Sequence, residues 1–77
     1  MPNTQVNIAL VNILNDYNSL IKNRDSYYVM EHTKTKLIGK LQLLYAMGIL
    51  ETEDFIMLMN VTDNVPSDIE QIIYELM

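Results

Sequence analysis

The sequence of 77 residues contains no cysteine or tryptophan, and only two glycines and two prolines. Without cysteine there is no disulfide framework and no thiolate ligand for a structural zinc ion. No apolar run approaches the roughly 20 residues that a membrane-spanning helix needs. The first residues also lack the basic segment that opens a secretory signal peptide. These absences predict a soluble, cytoplasmic protein without a membrane segment.

Basic residues are missing from the C-terminal part of the chain. All of them lie between positions 22 and 40, namely Lys22, Arg24, Lys34, Lys36 and Lys40. Residues 1–48 therefore carry a net charge of +2 and residues 49–77 one of −7, which together give the total of −5. Because unpaired acids are seldom buried, we expect an exposed acidic surface formed by Glu51, Glu53, Asp54, Asp68, Glu70 and Glu75.

Residue patterns that carry chemistry are equally scarce. The single histidine, His32, has Tyr28, Thr35 and Lys36 as helical neighbours, which supply neither metal ligands nor a nucleophile–base pair. The HExxH motif, an EF-hand loop and a glycine-rich phosphate loop are all absent from the sequence. The sequence thus predicts no catalytic, metal-binding or cofactor-binding residues, and a protein that is not an enzyme.

Apolar residues recur at spacings of three and four, and no strand-like alternation is present. This periodicity predicts an all-α fold, a single domain over residues 1–77 with three to four helices at about 4–22, 27–47, 53–60 and 67–77. The second half of the second segment is apolar on most sides, so it is expected to be the central helix, buried nearly all round. Leu37, Leu41 and Leu44 should be among the most buried residues.

Local signals mark the helix boundaries. Gly48 stands where a left-handed residue ends a helix, Thr52 is placed to cap the third helix, and Ser67 with Glu70 forms a capping-box pattern. The string GILETEDF, residues 48–55, is similar to the GLITEEEF hairpin of short bacterial modules such as SHOCT-type domains. The resemblance implies a helical hairpin at this point of the chain and nothing about function.

Several apolar side chains fall outside the predicted core. Ile8 and Val11 lie opposite the main stripe of the first helix, where either the last helix covers them or they form a contact surface. Met57 is predicted on the side of its helix opposite Phe55 and Met59. Tyr17, Tyr27 and Tyr45 are assigned to core stripes with hydroxyls reaching water. The predicted interface comprises Ile8, Val11, Tyr28, Leu43, Met47 and Met57.

The second and third segments could also be interpreted as a helix-turn-helix motif. Its recognition helix would begin with acids and contain no basic residue, which is repulsive to phosphates and argues against nucleic-acid binding.

A chain this short buries a small core, and such domains commonly rely on association for stability. We therefore expect a non-catalytic protein–protein interaction module, either a homodimer or an accessory subunit. Abundant Asn, Ile and Tyr with little Ala, Gly and Pro are typical of AT-rich coding sequence, which suggests a bacterial, phage or plasmid system. The alternative is a small acidic inhibitor or regulator that binds a host nucleic-acid-binding protein.

Overall fold

The computed structural model describes residues 4–77 and forms an all-α bundle, as the periodicity predicts. Over these residues there are four helices, α1 (Thr4–Lys22), α2 (Tyr27–Ala46), α3 (Thr52–Asn60) and α4 (Ile69–Leu76), and no strand. Helix α1 has the predicted bounds, whereas α2 ends one residue earlier, α3 begins one residue earlier and α4 is shorter at both ends.

Helices α1 and α2 form an antiparallel pair, because the end of α1 lies beside the start of α2 and the start of α1 beside the end of α2. Helix α3 packs against α2, and α4 packs against α1. The two short helices thus flank the long pair. The buried core consists of Leu10, Ile13, Leu14, Tyr17, Leu20, Leu37, Leu41, Leu44, Leu50, Leu58, Ile69 and Ile73.

The prediction that α2 is a central helix, buried nearly all round, is only half correct. Leu37 and Leu41 are fully buried and Leu44 nearly so, as predicted. However, α2 is not buried all round, since Leu43 and Met47 are more than half exposed. Helix α1 contributes five buried residues against three from α2. An apolar surface is buried only where another element covers it, and α3 covers just one flank of α2.

The end of α2 is a Schellman motif. Gly48 has a positive φ of 77°, its N–H donates to the Tyr45 carbonyl over 3.0 Å, and the Ile49 N–H donates to the Leu44 carbonyl over 2.9 Å. These two bonds satisfy carbonyls that a helix end leaves without partners. The predicted stop at Gly48 is therefore confirmed, and with it the turn of the hairpin into α3.

The predicted caps on the next two helices differ from the structure. Glu51, not Thr52, is the N-cap of α3, and the Thr52 hydroxyl lies 3.1 Å from that of Tyr45. Asp68 is the N-cap of α4, and no side-chain capping bond forms there. The capping box fails because residues 67 and 68 form a turn before the helix begins.

Tyr17 is the polar group at the centre of the bundle. Its ring is fully buried, and its hydroxyl donates a 2.6 Å hydrogen bond to the main-chain carbonyl of Leu58 in the last turn of α3. The prediction that this hydroxyl reaches water is wrong. A carbonyl near a helix C-terminus has no amide donor within its own helix, so the tyrosine supplies the missing donor from α1.

The other two tyrosines assigned to the core are more exposed than predicted. Tyr27 is largely in solvent. Tyr45 is partly exposed and stacks on Phe55, with ring centroids 4.5 Å apart and planes 16° from parallel. The Tyr45 ring therefore packs the end of α2 against the start of α3 at the surface.

The two glycines are expected to respond to alanine in opposite ways. Gly48→Ala should lower the free energy of unfolding by about 1 kcal/mol, because a left-handed φ is unfavourable with a Cβ. Gly39→Ala, in the exposed middle of α2, should raise it by about 0.5–1 kcal/mol. A Cβ would meet nothing within 4 Å at either position, so only backbone conformation separates them. Denaturant unfolding followed by circular dichroism measures both, and equal shifts of one sign would contradict this.

Tyr17→Phe is expected to lower the free energy of unfolding by about 1–3 kcal/mol, because the Leu58 carbonyl loses its donor. Burial raises the pKa of Tyr17, so the folded state keeps the phenolic proton at a pH where the unfolded state loses it. This contribution is complete below about pH 10 and is lost as the pH rises through the folded pKa. As the pH rises above about 10, the parent should therefore lose stability faster than Tyr17→Phe, by on the order of 1 kcal/mol per pH unit. Identical losses in the two proteins would disprove the assignment.

Candidate functional site

An open groove of about 280 Å³ runs between α1 and α2. Both walls are helical, so side chains three and four residues apart line it in rows. The structure brings two predicted interface residues together here, since Ile8 comes from one wall and Leu43 from the other. The lining comprises Gln5, Ile8, Ala9, Asn12 and Ile13 from α1, with Lys40, Leu43 and Leu44 from α2.

The α2 wall continues past the groove as a stripe with the spacing of one helical face, formed by Val29, Lys36, Lys40, Leu43 and Met47. The exposed fractions of its last two members are 59% for Leu43 and 63% for Met47, and across the groove Ile8 is 65% exposed. We call the groove together with Ile8, Leu43 and Met47 the groove face. Val29 is also exposed, and the same spacing would have identified it from the sequence.

Lys40 is the one charged residue in the groove lining. Its ammonium group donates to the Asp16 carboxylate over 2.6 Å and to the Asn12 side-chain carbonyl, also over 2.6 Å. This pair links α1 to α2 and cancels the charge locally. The groove therefore offers a partner apolar contacts and amide groups, without a free charge.

Val11 lies outside this groove although it is one turn from Ile8. Of the two alternatives for this pair, covering by the last helix is ruled out, because both side chains stay exposed while α4 packs elsewhere on α1. Val11 extends the exposed apolar surface of α1 beyond the groove.

The remaining two residues of the predicted interface lie elsewhere. Tyr28, which is 85% exposed, contacts Tyr27 edge to face with centroids 5.9 Å apart. It is in the first turn of α2, about 22 Å along the helix from Leu43. Met57 is half-buried and packs against the core, whereas its neighbour Ile56 is exposed. The buried face of α3 centres on Leu58, which turns Ile56 outward.

The acids predicted to form a surface lie at the two short helices. Glu51, Glu53, Asp68, Glu70 and Glu75 are exposed, and Asp54 is half-buried. Within residues 4–77 the ion pairs are Lys34–Asp63 and Lys40–Asp16, so neither involves these six acids. Glu70 accepts a hydrogen bond from Tyr74, which raises the pKa of that tyrosine, and Glu75 accepts one from Gln71. Both donors are neutral, so the negative charge remains.

A second cavity, of about 260 Å³, lies where the end of α1 and the start of α2 meet the linker between α3 and α4. Lys34 on α2 pairs with Asp63 of the linker at its rim, and this hydrogen bond raises the pKa of the lysine. Thr62, beside it, is buried and donates to the Met59 carbonyl over 2.7 Å. None of the predicted site residues lines this cavity. The ion pair between Lys34 and Asp63 in its lining holds the linker against α2.

Over the described part of the chain, no three His, Asp or Glu side chains gather in a way that suits a metal ion. The helices there are too short or too polar to cross a bilayer.

Comparison with known protein families, curated proteins and solved structures gives no match for this chain.

Proposed function

We propose that this protein is a non-catalytic interaction module that binds another protein through the groove face. The observation that supports this most directly is a pair of apolar side chains, Ile8 and Leu43, each more than half exposed, on opposite walls of a groove whose one charged lining residue is ion-paired. Met47, also more than half exposed, lies one helical turn beyond Leu43. Scattered apolar side chains are normal on a surface, but contiguous ones mark binding sites. The partner is either a second copy, giving a homodimer, or another protein to which this chain is an accessory subunit.

The groove face has the layout of a protein-binding surface. It combines apolar side chains with the amides of Gln5 and Asn12 and with Lys40, which pairs with Asp16. Interfaces generally place apolar anchors at the centre and polar groups at the rim. An apolar side chain that enters a groove between two helices also gains contacts on several sides, which is where binding energy concentrates.

The second candidate is an acidic inhibitor or regulator of a nucleic-acid-binding protein in a bacterial or phage system. It is favoured by the exposed acids of α3 and α4, none of which is neutralised by a described lysine or arginine. Opposite charge accelerates the encounter with a basic partner and loses strength with salt. The two candidates use different surfaces, so substitutions separate them.

The immobilised chain should capture a partner that Leu43→Asp does not capture, because a carboxylate at position 43 would be desolvated on binding, where the one nearby cation, Lys40, is already paired with Asp16. Gln42→Asp is the matched control, since the neighbouring residue is also exposed on α2 and the charge change is identical. Capture from a low-GC bacterial lysate, with a tagged second copy included, provides the measurement. Proteins bound equally by both variants and by the parent would refute a role for the groove face.

The same assay tests the acidic candidate. If the acids carry the binding, Glu51→Gln with Glu53→Gln should reduce capture of a basic protein several-fold at low salt, and high salt should remove it from the parent. Leu43→Asp should leave that capture unchanged. Binding that resists salt and survives loss of both acids would exclude this candidate.

A further inference from the structure

Resting on the proposed function, we infer that the occupant of the groove face is a second copy of this chain. The two copies meet around a two-fold axis, and Leu43 of each enters the groove of the other beside Ile8. In such an isologous contact both copies use the same patch. If residue i of one copy contacts residue j of the other, residue j of the first copy also contacts residue i of the second. The patch must therefore contain a protrusion and a recess that accept each other.

The groove face meets that requirement. Leu43 on α2 and Met47, the C-cap of that helix, are both exposed one helical turn apart, and the recess lies directly beside Leu43, between it and Ile8. The floor of the recess is formed by the core residues Ile13 and Leu44. A leucine inserted there is surrounded by aliphatic groups, and the leucine that inserts is drawn from the same patch.

The charge distribution also permits a second copy at this face. Two chains of net charge −5 repel each other, and association is possible only where the acids are kept apart. The groove lining contains no acid, and its single cation is paired with Asp16. The exposed acids lie on or beside α3 and α4, in the linker between them (Asp63) and in the turn after α1 (Asp25), and none of them lines the groove. The groove face is thus a surface where two copies can meet without opposing unpaired acids.

The size of the molecule is compatible with a stable dimer. The chain measures 38 × 23 × 20 Å, so its broad face has room for the roughly 800 Å² that each partner contributes to a standard interface. Burying the exposed apolar side chains of the long helix pair would also enlarge a core that is small for an independent domain.

The first test is the mass in solution as a function of concentration, by analytical ultracentrifugation. The parent and Gln42→Asp should reach twice the chain mass of 9.0 kDa, whereas Leu43→Asp should stay a monomer with unchanged helical content. We expect its dissociation constant to rise at least about thirty-fold, as for a central anchor. A parent that remains monomeric at high concentration, or a dimer insensitive to Leu43→Asp, would overturn the inference.

The second test places the contact and does not depend on a destabilising change. Because the chain has no cysteine, a single introduced thiol is unique. Mixing Ile8→Cys with Leu43→Cys under mild oxidation should give a disulfide-linked pair, while Ile8→Cys mixed with Tyr28→Cys should not. Equal yields in both mixtures would reject the proposed register. A monomeric parent that still captures another protein through Leu43 would reject the second copy and leave the proposed function standing.

Discussion

The hydrogen bond from the Tyr17 hydroxyl to the Leu58 carbonyl fixes the end of α3 against α1, and the course of the remaining chain depends on it. After α3, the linker is held by the buried Thr62 and by the ion pair between Asp63 and Lys34. These attachments lead the chain back to α1, where α4 packs. Leaving this buried hydroxyl without a partner would cost about twice the net gain of the bond. The position of α3 is therefore constrained by the need to satisfy this hydroxyl as well as by apolar contact.

The groove face exists because the helices differ in length. Helices of 19 and 20 residues are about 30 Å long, whereas those of nine and eight residues span about 13 Å. Two short helices cannot cover both sides of the long pair. They bury the side that contains Tyr17 and Leu41, and Leu43, Met47 and Ile8 on the other side stay exposed. The chain therefore carries more apolar helix surface than its own fold can bury.

Charge is distributed in keeping with this architecture. Most of the acids without a basic partner stand at the short helices, while Lys40, the cation in the groove lining, is neutralised across the α1–α2 contact by Asp16. The protein thus has a net charge of −5, while the lining of the groove contains no acid and no unpaired charge. The two proposed modes of binding, through the groove face and through the acidic surface, therefore use different parts of the molecule.

Local chemistry in the sequence determined the helical fold, the stop at Gly48 and the burial of Leu37, Leu41 and Leu44, because these depend on periodicity and on the backbone freedom of glycine. It also identified Ile8, Leu43 and Met47 as apolar residues outside the core stripes. Only the tertiary structure decided that Ile8 meets Leu43 across a groove, that Lys40 pairs with Asp16, and that α3 turns Leu58 inward and Ile56 outward. Those outcomes depend on which helix packs on which flank and on the hydrogen bond between Tyr17 and Leu58, which are 41 residues apart. The periodicity of the sequence carries no information about either.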